Sequence, residues 1–168
     1  FGNLDAAKVY DPTRAYSLQI AQLCKQRGVK FIFASSCSVY GVGQGELLDE
    51  ESPAVPQTPY SRNKLQIEED LRAISDGSFS PIALRFATAF GLSPRQRFDI
   101  VINMLVGMAL TTGRIVLNSD GTPWRPSVHV LDICRSVRCA LEADYHAGWL
   151  LVLNVGDEAN NLQILEIA

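Results

Sequence analysis

Tyr16, Ile20, Leu23 and Cys24 fall at i, i+4, i+7 and i+8, the spacing of one helix face, and Gly28 follows as a C-terminal cap. This pattern predicts a helix over 13–27. Val29 to Ala34 is then a short apolar run rich in β-formers, which predicts a buried strand. From Gly41 to Pro59 the periodicity stops, and glycines, acidic residues and three prolines predict a loop. Thr58-Pro59 suits a helix start, because a Thr hydroxyl can accept from free amides and Pro fits the first turn. That helix is expected to run to about Ser75, where Asp76-Gly77-Ser78 breaks it.

Pro81 to Phe90 predicts a second strand ending at Gly91. A helix from about Arg97 to Thr112 follows, with Phe98, Val101, Leu105 and Met108 on one stripe. Further on we expect a short strand at Ile115–Leu117, a turn at Asp120–Pro123, a helix over Asp132–Ala143 and a strand over Leu150–Val155. Strand and helix alternate throughout, with no internal repeat. The fold class read from this order is α/β with a parallel sheet.

Composition narrows the function classes. Among 168 residues, 47% are hydrophobic and 20% charged, as in an ordinary globular protein, and the net charge of -3 gives no basic footprint for nucleic acid. No segment approaches the ~20 apolar residues of a bilayer span, and no signal-peptide pattern opens the chain. We therefore expect a cytoplasmic protein with neither nucleic-acid nor membrane partners. The four cysteines make no Cys-x-x-Cys pair and only two histidines could join them, so no metal site is expected. The chain begins at Phe1 and stops inside the apolar-periodic stretch Leu162–Ala168, and it reads as part of a longer sequence.

The chemistry centres on the helix after Pro59. Ile67, Leu71 and Ile74 form a core-facing row, and extending that row backward reaches Lys64 and Tyr60. A Lys on the buried side of a helix is costly unless it has a partner or a task. Tyr at i and Lys at i+4 set a phenol beside an ammonium, which favours the phenolate and lowers the Tyr pKa from its usual value of about 10. Such a pair can act as a general acid/base toward a substrate hydroxyl. Taken alone, Tyr-x-x-x-Lys recurs by chance. Here a strand runs straight into Ser35-Ser36-Cys37-Ser38-Val39-Tyr40-Gly41, and ligands of parallel sheets sit at the carboxyl ends of strands.

The blocks FIFASSCSVYG, PYSRNKLQIEE, LRFATAFG and SDGTPWRPSVHVLDI occur in this order. Together they resemble the extended short-chain dehydrogenase/reductase superfamily, the NAD-dependent epimerase/dehydratase family. The resemblance implies a partial Rossmann-like, doubly wound parallel sheet with a smaller C-terminal α/β substrate-binding region. It divides the chain into 1–95, the later part of the cofactor domain, and 96–168, mainly the substrate region and partly interleaved with the first. It also implies Ser36, Tyr60 and Lys64 as the catalytic set, with Ala34, Ser35, Tyr60, Lys64 and Phe86 on the cofactor side. Ser36, Thr88, Asn103 and Arg125 are implied on the substrate side, where a guanidinium suits the diphosphate of a nucleotide-sugar by bidentate geometry. NAD is the implied cofactor, with NADP not excluded, and the full-length enzyme is implied to be a homodimer.

The function expected on these grounds is an NAD-dependent nucleotide-sugar epimerase. A dehydrogenase/reductase, decarboxylase or dehydratase of the same superfamily is the alternative, and a non-catalytic nucleotide sensor is a more distant one. Several positions depart from the family pattern. Cys37 and Ser38 stand where 4,6-dehydratases carry an acidic pair, which disfavours elimination. Thr88 replaces a frequent Asn, and the Asn-x-x-Gly-Thr often found near 13–17 is missing. No Gly-x-x-Gly-x-x-Gly fingerprint opens the chain, so by itself it is expected to bind NAD poorly and to be inactive. Gly41-Val42-Gly43-Gln44-Gly45 is not such a fingerprint, since Glu46 takes the place of the last glycine. His129 is read as a packed structural histidine, Trp124 as a stacking residue or a lid, and Glu50 and Glu51 as solvated charges.

Overall fold

The computed structural model describes residues 5–42 and 47–168. In chain order the helices and strands are α1 (Asp11–Arg27), β1 (Ile32–Ser36), α2 (Pro59–Ile74), β2 (Ile82–Phe86), β3 (Thr88–Phe90), α3 (Val101–Thr112), β4 (Trp124–His129), α4 (Val130–Glu142), β5 (Leu151–Val155), β6 (Asn161–Gln163) and α5 (Ile164–Ile167). The chain divides into two compact units. One comprises Phe1–Arg85 with Val137–Asn154, the other Phe86–Ser136 with Val155–Ala168.

The first unit holds a three-stranded sheet of order β1-β2-β5. Leu151 N donates to Pro81 O and Ala87 N to Val155 O, each at 3.0 Å, so β2 and β5 run parallel. Ala21, Phe33, Ile67, Leu71, Phe79, Ala83 and Leu150 form the core, with Cys24, Phe31, Ile74 and Val152 against it. The row inferred on α2 is thus the row that meets the sheet. Full burial of side chains such as Ile67 and Leu71 contributes about 1.5–3 kcal/mol each.

Polar bonds finish the joints that apolar packing begins. Arg14 grips Asp70 through Nε and Nη2 at 2.6 and 2.7 Å, tying α1 to α2. Asn63, buried on α2, donates to Tyr10 O at 2.8 Å. Lys30 Nζ donates to the carbonyls of Ala140, Leu141 and Ala143, satisfying the C-terminal end of α4. At the start of α2, Thr58 and Ser61 form a reciprocal capping box, as the Thr-Pro signal foretells.

The second unit holds the sheet β3-β4-β6, with β3 parallel and β6 antiparallel to β4. Here the expectations from sequence need correction. The apolar run 81–90 is not one strand: it divides at Ala87 into β2 and β3, which belong to different sheets. Ile115–Leu117 is not a strand and joins neither sheet; the strand beside β3 is β4. β4 itself is hidden in the sequence, since Pro126 argues against a strand and Trp124 and Arg125 are exposed rather than alternating. The third helix starts at Val101, which leaves Phe98 outside it and exposed, while Leu105 is buried as expected. The fourth helix starts at Val130, ahead of Asp132.

Among the described residues no helix is long and apolar enough to cross a membrane. Gly43, Gln44, Gly45 and Glu46, most of the glycine-rich decoy, lie outside the described residues.

Candidate active site

In the first unit, β1 delivers Ala34, Ser35 and Ser36 to its carboxyl end, and one 3-10 turn (Cys37–Tyr40) follows. Gly41 closes that turn at φ +80°, where an added Cβ would strike the Val55 carbonyl oxygen, so glycine is required. Ser36 is half-buried, and its Oγ accepts from Ser38 N at 3.2 Å as the turn's cap. The helix α2 brings Tyr60 and Lys64 to the same strand end. Lys64 Nζ donates to Ala34 O at 2.7 Å, and lies 4.8 Å from the Phe33 ring centroid and 5.6 Å from that of Tyr60. Tyr60 also packs edge-on against Tyr10, with centroids 6.2 Å apart.

Burial lowers the Lys64 pKa below its ordinary value, and the Glu68 carboxylate opposes that fall. Glu68 is a residue that sequence reasoning misses. It is fully buried one turn beyond Lys64 and receives Arg85 Nε at 3.1 Å and Arg85 Nη2 at 2.6 Å. Ser35 Oγ donates to the same carboxylate. Arg85 Nη1 continues to Tyr40 Oη at 2.7 Å, and Tyr40 donates to Asn154 Oδ1 at 2.8 Å. Two signals could have exposed this set. Glu68 extends the Tyr60-Lys64 row by i+4, and Arg85 interrupts an apolar strand, where a charge must find a partner.

The Cys37 thiol donates to Arg85 O at 3.1 Å, and burial pushes its pKa up to about 11. It is therefore a neutral thiol at physiological pH. Glu50 is less idle than expected: its Oε1 accepts from Asn154 N at 2.6 Å, giving that β5 amide its partner.

In the second unit the other expected residues are spread over separate elements. Phe86 ends β2 half-buried, and Thr88 pairs with Ser127 across the β3–β4 ladder. Asn103 Nδ2 donates to Arg97 O at 3.0 Å. Arg125 is exposed and donates only locally, to Trp124 O at 2.9 Å. Gly91 sits at φ +113° against His129, whose ring packs edge-on to Phe90 and accepts from Leu131 N at 3.3 Å. His129 is thereby engaged in packing.

The described residues contain no group of three or more His, Cys, Asp or Glu able to hold a metal ion. Toward a dinucleotide the first unit offers a partial match. Lys64 directs one proton to Ala34 O, which leaves protons on Nζ for a ribose diol.

The model of the NAD dependent epimerase/dehydratase family matches residues 2–156. The chain belongs to this family. Among family relatives, a UDP-glucose 4-epimerase of Rhizobium leguminosarum bv. trifolii is 28% identical over 168 residues, covering 90% of this chain and 51% of that protein. MoeE5, solved in complex with UDP-glucose and NAD, superposes with a TM-score of 0.74 at 32% identity, covering 90% of this chain and 50% of that one. A dTDP-glucose 4,6-dehydratase from Bacillus anthracis, solved with NAD, gives a TM-score of 0.79 at 25% identity over 96% of this chain and 51% of that one. The epimerase/dehydratase family is one of enzymes, and its Rossmann-type fold accounts for the parallel β1-β2-β5 sheet. The chain spans about half the length of these relatives.

Proposed function

We propose that the protein is an NAD-dependent nucleotide-sugar epimerase in which Tyr60 is the acid/base. The observation that carries this reading is the seating of Lys64: its ammonium is bonded to Ala34 O at the strand end that bears Ser36, and stands beside the Tyr60 ring. A cation there favours the phenolate, so Tyr60 can take a proton from a sugar hydroxyl and return it. Ser36 hydrogen-bonds the reacting oxygen, and Lys64 also holds a ribose. Bound NAD would supply a reversible hydride acceptor. Phe86 lines the cofactor side, and on the substrate side Thr88, Asn103 and Arg125 join Ser36 to receive the nucleotide-sugar, with Arg125 on its diphosphate. In this reading residues 1–95 are the cofactor part and 96–168 mainly the substrate part of a cytoplasmic homodimer.

A dehydratase is the second reading, favoured by the likeness to the Bacillus anthracis enzyme. Cys37 speaks against it. Its thiol, held neutral by burial and bonded to Arg85 O, cannot exchange protons at neutral pH as a carboxylate does.

Product analysis of the complete gene product with UDP-glucose and NAD tests both. We expect the 4-epimer with no net consumption of cofactor. One product per NADH consumed would replace epimerase by reductase, and a 4-keto-6-deoxy product would establish the dehydratase. Tyr60→Phe should lower turnover by about 10²–10⁴-fold while UDP binding is kept. Unchanged turnover would refute the role of Tyr60.

A further inference from the structure

Glu68, Arg85 and Ser35 are 0%, 4% and 3% exposed, an expensive assembly to bury for a mere joint between a helix and a sheet. Packing alone could make that joint, and next to Glu68 it does so through Ile67 and Leu71. The location of the ion pair is the informative point. On α2, Glu68 follows Tyr60 and Lys64 at i+8 and i+4, on one face. On β1, its carboxylate receives Ser35 Oγ, while the preceding residue gives its carbonyl to Lys64 and the following one is Ser36. Two bonds one residue apart thus lock the helix to the strand end, in the register that sets Tyr60 relative to Ser36.

The charges follow the same plan. The groups around Lys64 are Tyr60 and Glu68 on its own helix, the Phe33 ring and Ala34 carbonyl on β1, and Arg85 of β2 beyond Glu68. Tyr10 lies against Tyr60, and Tyr40 and Cys37 meet Arg85. Glu68 is the anion between two cations. Were its charge removed, Lys64 would lose the carboxylate that opposes the fall of its pKa on burial, and the change would fall on Lys64 because an arginine does not give up its proton.

We propose that Glu68, clamped by Arg85 and Ser35, is a positioning residue that holds Tyr60 and Lys64 in register with Ser36 and supplies the counter-charge of Lys64. This deepens the epimerase reading and rests on it for its effect on turnover. The carboxylate touches neither substrate nor cofactor and acts through Lys64.

The test uses the complete gene product and three forms: wild type, Glu68→Gln, and Glu68→Met/Arg85→Met. Exchange of a buried ion pair for apolar residues of similar volume is commonly tolerated, so the double variant should melt close to wild type. Its turnover should nonetheless fall about tenfold or more, because the register of Tyr60 is loosened. In Glu68→Gln the alkaline limb of turnover should move to lower pH. The NMR titration of a ¹³C-methylated Lys64 amine, assigned by its loss in Lys64→Met, should move the same way. Wild-type turnover and pH profile in the stable double variant would overturn the proposal, as would an unmoved Lys64 titration in Glu68→Gln. Should Glu68→Gln not fold, the turnover and pH profile of the double variant decide the matter alone. If wild type shows no activity on nucleotide-sugars, the epimerase reading fails, and the Lys64 titration still decides the role of Glu68.

Discussion

Arg85 and Arg125 show two ways of using one side chain. Arg85, in the first unit, is buried and bound on every side: two bonds to Glu68, one to Tyr40, and its guanidinium carbon 4.9 Å from the Tyr40 ring centroid. Arg125, in the second unit, is exposed and donates only to the carbonyl of its neighbour Trp124. The first is committed to the fold, and the second has its fork still open to a ligand. The same contrast runs through the two regions. Lys64 and Ser35 are bonded across elements, whereas Asn103 bonds only within its own segment. In the proposed reading, the groups that would hold the acid/base in place are preorganised by the fold, while those assigned to the diphosphate are left accessible.

The largest effect is expected at Arg85. Arg85→Met alone leaves Glu68 buried without its cation and should cost about 3–5 kcal/mol in denaturant unfolding. A loss below about 1 kcal/mol would mean that Arg85 is no more committed than a surface arginine. Arg125→Met should do the reverse. Stability is expected to stay within about 0.5 kcal/mol, while UDP-sugar binding to the complete gene product weakens about tenfold by calorimetry. Equal binding would remove Arg125 from the proposed substrate side and leave the contrast without its second half.

Thr58→Ala sharpens the comparison within the first unit, since it removes the cap of α2 and leaves its buried network intact. A loss of about 1 kcal/mol is expected in chemical unfolding. Turnover should be nearly unchanged if the bonds of Lys64 and Glu68, and not the cap, set the register. The smallest effect belongs to Asp76, an exposed carboxylate. Bonds from Lys25 and then from Ser78 hold its pKa well below the usual carboxylate range. A depressed folded pKa means stability that is present above the unfolded value of about 4 and lost as pH falls through the folded one. Asp76→Asn should therefore lower the melting temperature at pH 7 by no more than ~2 °C, with the difference shrinking on acidification. A difference that grew at low pH would reverse the assigned sign.

Much of this is legible without the fold. Helix α2 declares itself through Thr58-Pro59 and through Ile67 and Leu71, and those residues cap and bury as their spacing requires. The order of blocks makes neighbours of the Ser-rich strand end and Lys64, and Lys64 does bond to Ala34 O there. Sequence patterns mislead where a local rule meets a distant partner. Pro126 conceals β4, which owes its existence to β3 and β6 on either side. Ile115–Leu117 has strand-forming residues and lies in no sheet. Glu50 reads as a solvated charge until the Asn154 amide is seen beside it.

By itself, then, the sequence determined what depends on neighbours a few residues away: the core-facing row of α2, the caps, and the i, i+4 placement of Tyr60 and Lys64, whereas Tyr16, Leu23 and Phe98 of the other expected rows are exposed. It also determined membership of the epimerase/dehydratase family, which its ordered blocks signal. Only the tertiary structure decided that Glu68 and Arg85, 17 residues apart, share a buried ion pair, and that Ser35 joins it from 33 residues upstream of Glu68. Periodicity records which face of an element is apolar, not which other element will cover it. A buried charge announces that it needs a partner, and the packing of α2 on β1 and β2 selects which one.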